Sequence, residues 1–251
     1  MTLPTKVLVT GGTSGLGLAM ASALATAGAA VALTGRSADR AAATASGLPN
    51  ATGIGLDVRD ESSVARAVEL AWDRLGGLDM LVNNAGIGMR TVNPQFMARP
   101  QGFWEVRPDG FRAVIETNLT GYFLVAREVT PRMLAEGRGR VVNISVSSST
   151  MTRAGFVPYG PSRAGSEALS RIMAADLRET GITVNVLLPG GATVTGMLPP
   201  GAQATGMRFL SADVMGPPIV WLASDEAVSV HDERIVASEF DTWLTGWRHL
   251  A

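Results

Sequence analysis

The order of apolar runs predicts an α/β protein: a doubly wound parallel sheet layered between helices. Three observations predict it. Short runs such as Val7-Leu8-Val9, Met80-Leu81-Val82 and Ile182–Leu188 have the length and β-branched content of buried strands. Between them lie alanine-rich stretches such as Leu18–Ala25 and Ala38–Ser46, free of Gly and Pro, which suit helices. The connections are mostly short, and strands alternating with helices over short loops pair in parallel. A chain of 251 residues can bury a large core.

Composition removes several classes of function. The formal net charge is −1 and no basic tract occurs, which argues against a nucleic-acid partner. No apolar run approaches the roughly 18 residues needed to span a membrane. Cysteine is absent, which excludes disulfides and Cys metal sites, and His231 and His249 are the two histidines, so no metal site is expected. The stretch Met1–Lys6 enters a strand directly, without a signal-peptide pattern, so a cytoplasmic protein is expected.

The first strand, Val7–Val9, runs into Thr10-Gly11-Gly12-Thr13-Ser14-Gly15-Leu16-Gly17 and then a helix ending near Ala27-Gly28. Strand, glycine turn and helix together form a phosphate-binding context. Glycines let the backbone approach a pyrophosphate, and a helix N-terminus offers free N–H groups and a positive dipole end. No Lys-Ser/Thr pair follows, so this is not a nucleotide-triphosphate loop. The expected cofactor contacts are Gly11, Thr13, Ser14, Gly15, Leu16 and Gly17. The second strand, Ala29–Thr34, ends at Gly35-Arg36-Ser37. An acid at this point would accept from a ribose 2′-OH and suit NAD; a guanidinium suits a 2′-phosphate, so Arg36 predicts NADP(H). The other reading of Arg36 is a solvated surface side chain. A helix over Ala38–Ser46 leads to a third strand, Gly53–Val58, that carries Asp57. A helix over Glu61–Leu75 stops at Gly76-Gly77, and a fourth strand from Leu78 ends in the turn Asn83-Asn84-Ala85-Gly86.

With T-G-x-x-x-G-x-G near the N-terminus and Asn83-Asn84-Ala85-Gly86 after the fourth strand, the sequence resembles the short-chain dehydrogenase/reductase family over nearly its whole length. The resemblance implies a Rossmann-type, three-layer αβα fold, in one NADP(H)-binding oxidoreductase domain over 1–251. It implies that Asn84, Ala85 and Gly86 support the sheet beside the cofactor and that Asp57 and Val58 meet the adenine. It also implies a homotetramer or a dimer.

Gly88–Gly110 is long and irregular and reads either as a wall of the substrate pocket or as a subunit contact. The next helix is expected over Phe111–Arg127, with Asn118 in an unfavourable mid-helix position. The resemblance implies that this Asn interrupts the helix and holds a water in a proton relay. A fifth strand, Gly139–Ser145, precedes Val146, Ser147 and, later, Tyr159 and Arg163. The family pattern is a Ser at the end of this strand and then Tyr-x-x-x-Lys. It implies that Tyr159 donates a proton to a carbonyl oxygen, that the Ser steadies that oxygen, and that the basic residue binds the nicotinamide ribose and lowers the Tyr pKa. Two positions depart from the pattern. Counted back from Tyr159 without a gap, the Ser position falls on Val146; a one-residue shift brings Ser147 there, Ser145 is the other hydroxyl, and the serine cluster also reads as structural. The Lys is replaced by Arg163, which keeps the charge but does not readily release a proton.

The Tyr159 helix continues with Ala168, Leu169, Ile172, Met173 and Leu177 at helical spacing. The sixth strand, Ile182–Leu188, closes on Pro189-Gly190, and the resemblance implies that these and Thr195, favoured over Thr193, hold the nicotinamide carboxamide. Leu198–Phe209 reads as a lid, so the substrate loops are expected near 88–110 and 191–210. A helix over Ala212–Ala223 and a last strand over Glu233–Ser238 follow. In the tail, Trp243 and Trp247 are expected to pack on a neighbouring subunit. The expected activity is NADP(H)-dependent reduction of a carbonyl or oxidation of an alcohol, with a small-molecule partner. The alternatives are an NADP-binding scaffold with impaired catalysis and a lyase resembling halohydrin dehalogenases, which carry a Ser-Tyr-Arg triad.

Overall fold

The computed structural model describes residues 5–199 and 208–250. The strands are β1 (Lys6–Val9), β2 (Ala30–Gly35), β3 (Ala51–Gly55), β4 (Met80–Asn83), β5 (Gly139–Ile144), β6 (Ile182–Leu188) and β7 (Arg234–Val236). They form a seven-stranded sheet in the order β3-β2-β1-β4-β5-β6-β7, each neighbouring pair parallel. The helices are α1 (Gly15–Thr26), α2 (Ala38–Ala45), α3 (Glu61–Leu75), α4 (Pro108–Ile115), α5 (Gly121–Glu136), α6 (Ser148–Met151), α7 (Tyr159–Leu177), α8 (Gly216–Leu222) and α9 (Phe240–Leu250).

Alternation along the strands sends side chains to two faces. Val7, Val9, Val31 and Leu33 bury against Met20 and Leu24 of α1 and Ile219 of α8. Leu8, Ala32 and Leu81 bury against Val64 and Val68 of α3, Val125 and Val129 of α5 and Ala174 of α7. Apolar residues on both faces of short strands are what a sheet covered by helices requires. The chain winds from β1 outward to β3, then returns to place β4 on the other side of β1, with Val9 opposite Val82. The connections after β1 and β4 thus lead to opposite halves of the sheet, which makes this the topological switch point of the fold.

Several expected boundaries move. The third strand pairs over Ala51–Gly55 rather than 53–58: its partner β2 ends at Gly35, whose carbonyl takes the Leu56 N–H at 2.8 Å, and the next N–H, of Asp57, turns to Ser63 Oγ. The stretch 88–110 is not structureless: it holds 3₁₀ turns at Met89–Thr91 and Phe103–Glu105, and Pro108 starts α4, where its missing N–H costs nothing. The helix expected over Phe111–Arg127 runs from Pro108 to Glu136 through a π-turn at Glu116–Thr120 and past Pro131, and stops at Gly137 with φ +67°. The short helix α6 was not foreseen. Leu198–Phe209, read as a lid, lies mostly outside the described residues. The tail helix α9 folds back on its own chain: the Trp243 and Trp247 rings meet Trp221 at centroid distances of 5.5 and 5.3 Å, and both stay partly exposed. No helix among the described residues is long and apolar enough to cross a membrane.

Candidate active site

Hydrogen bonds tie the turns after β1 and β4 into one floor. Thr10 Oγ1 accepts from the N–H of Asn84 (2.9 Å) and of Ala85 (3.0 Å), while Asn84 Nδ2 donates to the carbonyls of Thr10 (2.9 Å) and Gly11 (3.1 Å). Gly12 N–H donates to Thr34 O at 2.8 Å, which ties the turn to β2. The turn has no room for a Cβ at Gly11 or Gly17. Gly11 has φ +65°, and a Cβ there would stand 2.8 Å from Ala85 Cα; one on Gly17 would run into the Gly11 carbonyl. Ser14 precedes α1 in extended conformation without capping it through its side chain, and no acid stands in the first turn. Leu16 packs its side chain on the core. A dinucleotide pyrophosphate fits this cradle of main-chain groups at a helix N-terminus.

At the outer edge, a Cβ on Gly35 would stand 2.7 Å from Thr13 Cγ2, so Thr13 closes the turn against the end of β2. Arg36 follows and is exposed. Asp57 is held by Arg59 through Nε (2.9 Å) and Nη2 (2.6 Å). That pair holds the Asp57 carboxyl below the usual range, with a smaller pull from Arg36. Val58 is buried against Gly121.

Asn118 sits in the π-turn and is fully buried. Its Oδ1 accepts from Ile87 N–H (2.8 Å), and Nδ2 donates to Ile87 O (2.9 Å) and Ser162 Oγ (3.1 Å). Both amide hydrogens are thus committed, and the side chain braces the segment after Gly86 against α7. The expected interruption of the helix is present as the π-turn.

Tyr159 opens α7. Phe156 stands edge-on to it at 6.5 Å and Phe96 edge-on to Phe156 at 5.7 Å, which gives the Tyr an aromatic wall. A Cβ on Gly155 would stand 2.7 Å from Pro100 Cβ, so the 88–110 stretch packs on the segment before Tyr159. Arg163 lies one turn further along α7, 3% exposed. Its Cζ stands 5.4 Å from the Tyr159 ring centroid and 5.5 Å from that of Tyr122. Nη1 donates to Tyr122 Oη at 2.8 Å and to Ile144 O at 3.0 Å. Nη2 lies over Gly86, where a Cβ would stand 2.5 Å away. Burial works against the Arg163 charge, but the Tyr122 and Tyr159 oxygens more than offset it and hold its pKa up.

The strand end before Tyr159 keeps Val146 at the expected Ser position. Val146 O accepts from Arg234 Nη2 at 2.9 Å, and Arg234 Nε pairs with Glu167 at 3.1 Å, which pins the segment. Ser147 immediately precedes α6, with its Oγ 2.8 Å from Thr150 Oγ1 and 3.1 Å from Ser149 Oγ. Ser145 is buried, and its Oγ has no partner among the described residues. On the far side, Pro189 O accepts from Ser238 N–H (3.1 Å), and Gly190 has φ +92° with Ser238 in the place a Cβ would take. Thr195 is the threonine against the glycine turn: its Cγ2 stands 3.3 Å from where a Gly15 Cβ would be. Thr193 Oγ1 instead donates to Gly191 O at 3.1 Å.

Sequence reasoning missed Tyr122, Phe96, Phe156 and the strap from Arg90 Nη1 to the carbonyls of Gly196 (2.8 Å) and Leu198 (3.1 Å). Tyr122 carried a usable signal, since it stands four residues after Asn118 and so near the same helix face.

The family model described as short chain dehydrogenase matches residues 5–204. A 3-oxoacyl-[acyl-carrier-protein] reductase of Aquifex aeolicus (strain VF5) is 36% identical over 188 residues, 73% of this chain and 72% of that protein. A 3-ketoacyl-(acyl-carrier-protein) reductase from Brucella melitensis, solved with NADH, is similar with a TM-score of 0.80 at 26% identity, covering 92% of this chain and 95% of that one. A short chain dehydrogenase from Burkholderia cenocepacia J2315, solved with NADP, is similar with a TM-score of 0.78 at 31% identity, over 92% and 95% of the two chains.

Proposed function

Because this chain belongs to the short-chain dehydrogenase family of oxidoreductases, we propose that it moves a hydride between NADP(H) and a carbonyl/alcohol pair. The observation that carries this reading is the placing of Tyr159 and Arg163. The two stand on one face of α7, with guanidinium and ring 5.4 Å apart, and Arg163 Nη2 reaches over Gly86 to the turn that is tied to the glycine cradle. A bound nicotinamide supplies the hydride or accepts it. Tyr159 Oη gives its proton to the carbonyl oxygen in reduction and takes it back in oxidation. Arg163 stays charged beside the phenol and is a ligand for the nicotinamide ribose. Ser147 orients the substrate oxygen, and Asn118, in the π-turn, holds a water of the proton relay. Gly11, Thr13, Ser14, Gly15, Leu16 and Gly17 take the pyrophosphate; Asp57 and Val58, the adenine; Asn84, Ala85 and Gly86, the floor; Pro189, Gly190 and Thr195, the carboxamide. The aromatic wall of Phe96 and Phe156 favours an apolar ketone or alcohol.

The direct test is oxidation of NADPH and NADH over a carbonyl panel, with wild type and Arg163→Lys side by side. Turnover by wild type supports the reading. NADPH binding with no turnover by either protein would overturn it in favour of a cofactor-binding scaffold, the second reading, which rests on Val146 at the serine position.

Two further outcomes are expected. Arg36→Ala should raise KM for NADPH at least about tenfold and leave KM for NADH nearly unchanged, because one charge-assisted contact to a phosphate is worth roughly 1.5–3 kcal/mol; equal effects on both cofactors would sink the NADP assignment. Arg90→Ala removes two hydrogen bonds that join the loops after β4 and β6. It should raise KM for the carbonyl substrate about fivefold with little change in kcat, at roughly 1 kcal/mol net for the pair. Steady-state kinetics reads both.

A further inference from the structure

Arg163 is a buried cation without a carboxylate: among the described residues, no ion pair includes it. A buried charge is costly unless hydrogen bonds fix and satisfy it. Its Nη1 is satisfied by two oxygens that are also bonded to each other. Tyr122 Oη accepts from Nη1 at 2.8 Å and donates to Ile144 O at 3.1 Å, and Ile144 O accepts from Nη1 at 3.0 Å. The phenol can do both because its oxygen is donor and acceptor at once. Burial pushes the Tyr122 phenol above the usual tyrosine range, with Arg163 pulling the other way, so it keeps the proton it donates to Ile144 O. The guanidinium is thereby set between two rings, Tyr122 at 5.5 Å and Tyr159 at 5.4 Å. From the other packed elements, the groups that face it are the Ile144 carbonyl of β5 and Gly86, where a Cβ would also stand 3.1 Å from the neutral Asn118 amide. Both bonds leave a single nitrogen, Nη1, while Nε has no partner among the described residues, so Tyr122 Oη and Ile144 O are what fix the group.

We propose that Tyr122 is the positioning residue for Arg163, holding the guanidinium beside Tyr159 so that an arginine serves in the hydride transfer. The proposal rests on the functional reading above and deepens it. Tyr122 touches neither substrate nor cofactor; it acts through Arg163.

The test is a double-mutant cycle of Tyr122→Phe and Arg163→Lys, read by melting temperature and by kinetics with NADPH and the best ketone of the panel. The expected result is coupling. In the Arg163 protein, Tyr122→Phe should lower melting by several degrees and kcat at least about tenfold, with KM for the ketone changed less than about threefold. In the Arg163→Lys background, the same substitution should cost less than half that melting shift and less than about threefold in kcat. Equal losses in both backgrounds would make Tyr122 a packing residue and overturn the proposal, as would an unchanged kcat in the Arg163 protein. Absence of turnover in both backgrounds overturns the hydride-transfer reading instead; the melting cycle then decides by itself whether Tyr122 holds Arg163.

Discussion

Tyr159→Phe is expected to lower kcat for ketone reduction by about 10²- to 10⁴-fold while NADPH binding changes no more than a few-fold. The substitution removes one oxygen and keeps the ring. The ring is what packs edge-on to Phe156 and lies beside the Arg163 guanidinium, so the local fold should persist. What is lost is the phenolic proton, and no second donor is ready to replace it. Tyr122 carries the other phenol of the chain, but it is 1% exposed and bonded to Ile144 O and Arg163. Arg163 keeps its proton, because a guanidinium does not release one in a protein. Ser147 hydroxyl is engaged within its own turn and is a weak acid besides. Stopped-flow or steady-state NADPH oxidation reads kcat, and quenching of protein fluorescence by NADPH reads binding. A Tyr159→Phe protein that reduces ketones within threefold of wild type would remove Tyr159 from the chemistry.

The sheet was legible in the sequence because its cause is local. β-branched runs bounded by glycine can hardly do other than form strands, and the two turn motifs fixed where β1 and β4 must meet. Asn118 was legible for the same reason: an unfavourable residue in mid-helix marks a place where the ladder is disturbed, and a π-turn stands there. The surroundings of Arg163 were not legible. Charge and spacing from Tyr159 follow from the sequence, but where the guanidinium points depends on Tyr122, 41 positions earlier on another helix, and on a strand carbonyl. The serine position is a different case. Counting places Val146 in the hydroxyl position, and a one-residue shift brings Ser147 there. The pin from Arg234 to Val146 O and the α6 helix that starts at Ser148 are tertiary facts that no local pattern announces. Trp243 and Trp247 show the same limit: helical spacing gave one aromatic face, and only tertiary packing brings Trp221 against it.

Gly17→Ala should lower NADPH affinity at least about tenfold and destabilise the protein by roughly 1–3 kcal/mol, a fall of about 2–10 °C in melting temperature for a chain of this size. The φ of this residue is not the reason; space is. A Cβ on Gly17 would run into the carbonyl of Gly11 and the side-chain nitrogen of Asn84. The Asn amide could swing only by giving up its bonds to Thr10 O and Gly11 O, which join the glycine turn to the turn after β4. The Gly11 carbonyl is main chain and could move only by deforming the cradle itself. Either response spreads the main-chain groups that would receive the pyrophosphate, so stability and binding should fall together. Gly246→Ala is the control: a Cβ there meets nothing within 4 Å, and an alanine in α9 should leave binding unchanged and melting equal or slightly raised. Calorimetry and fluorescence titration on the two variants separate a general glycine effect from a local one. If Gly17→Ala bound NADPH as wild type does, the tight approach of α1 to the Asn84 turn would not be what shapes the site, and the case for a dinucleotide cradle would lose its main physical support.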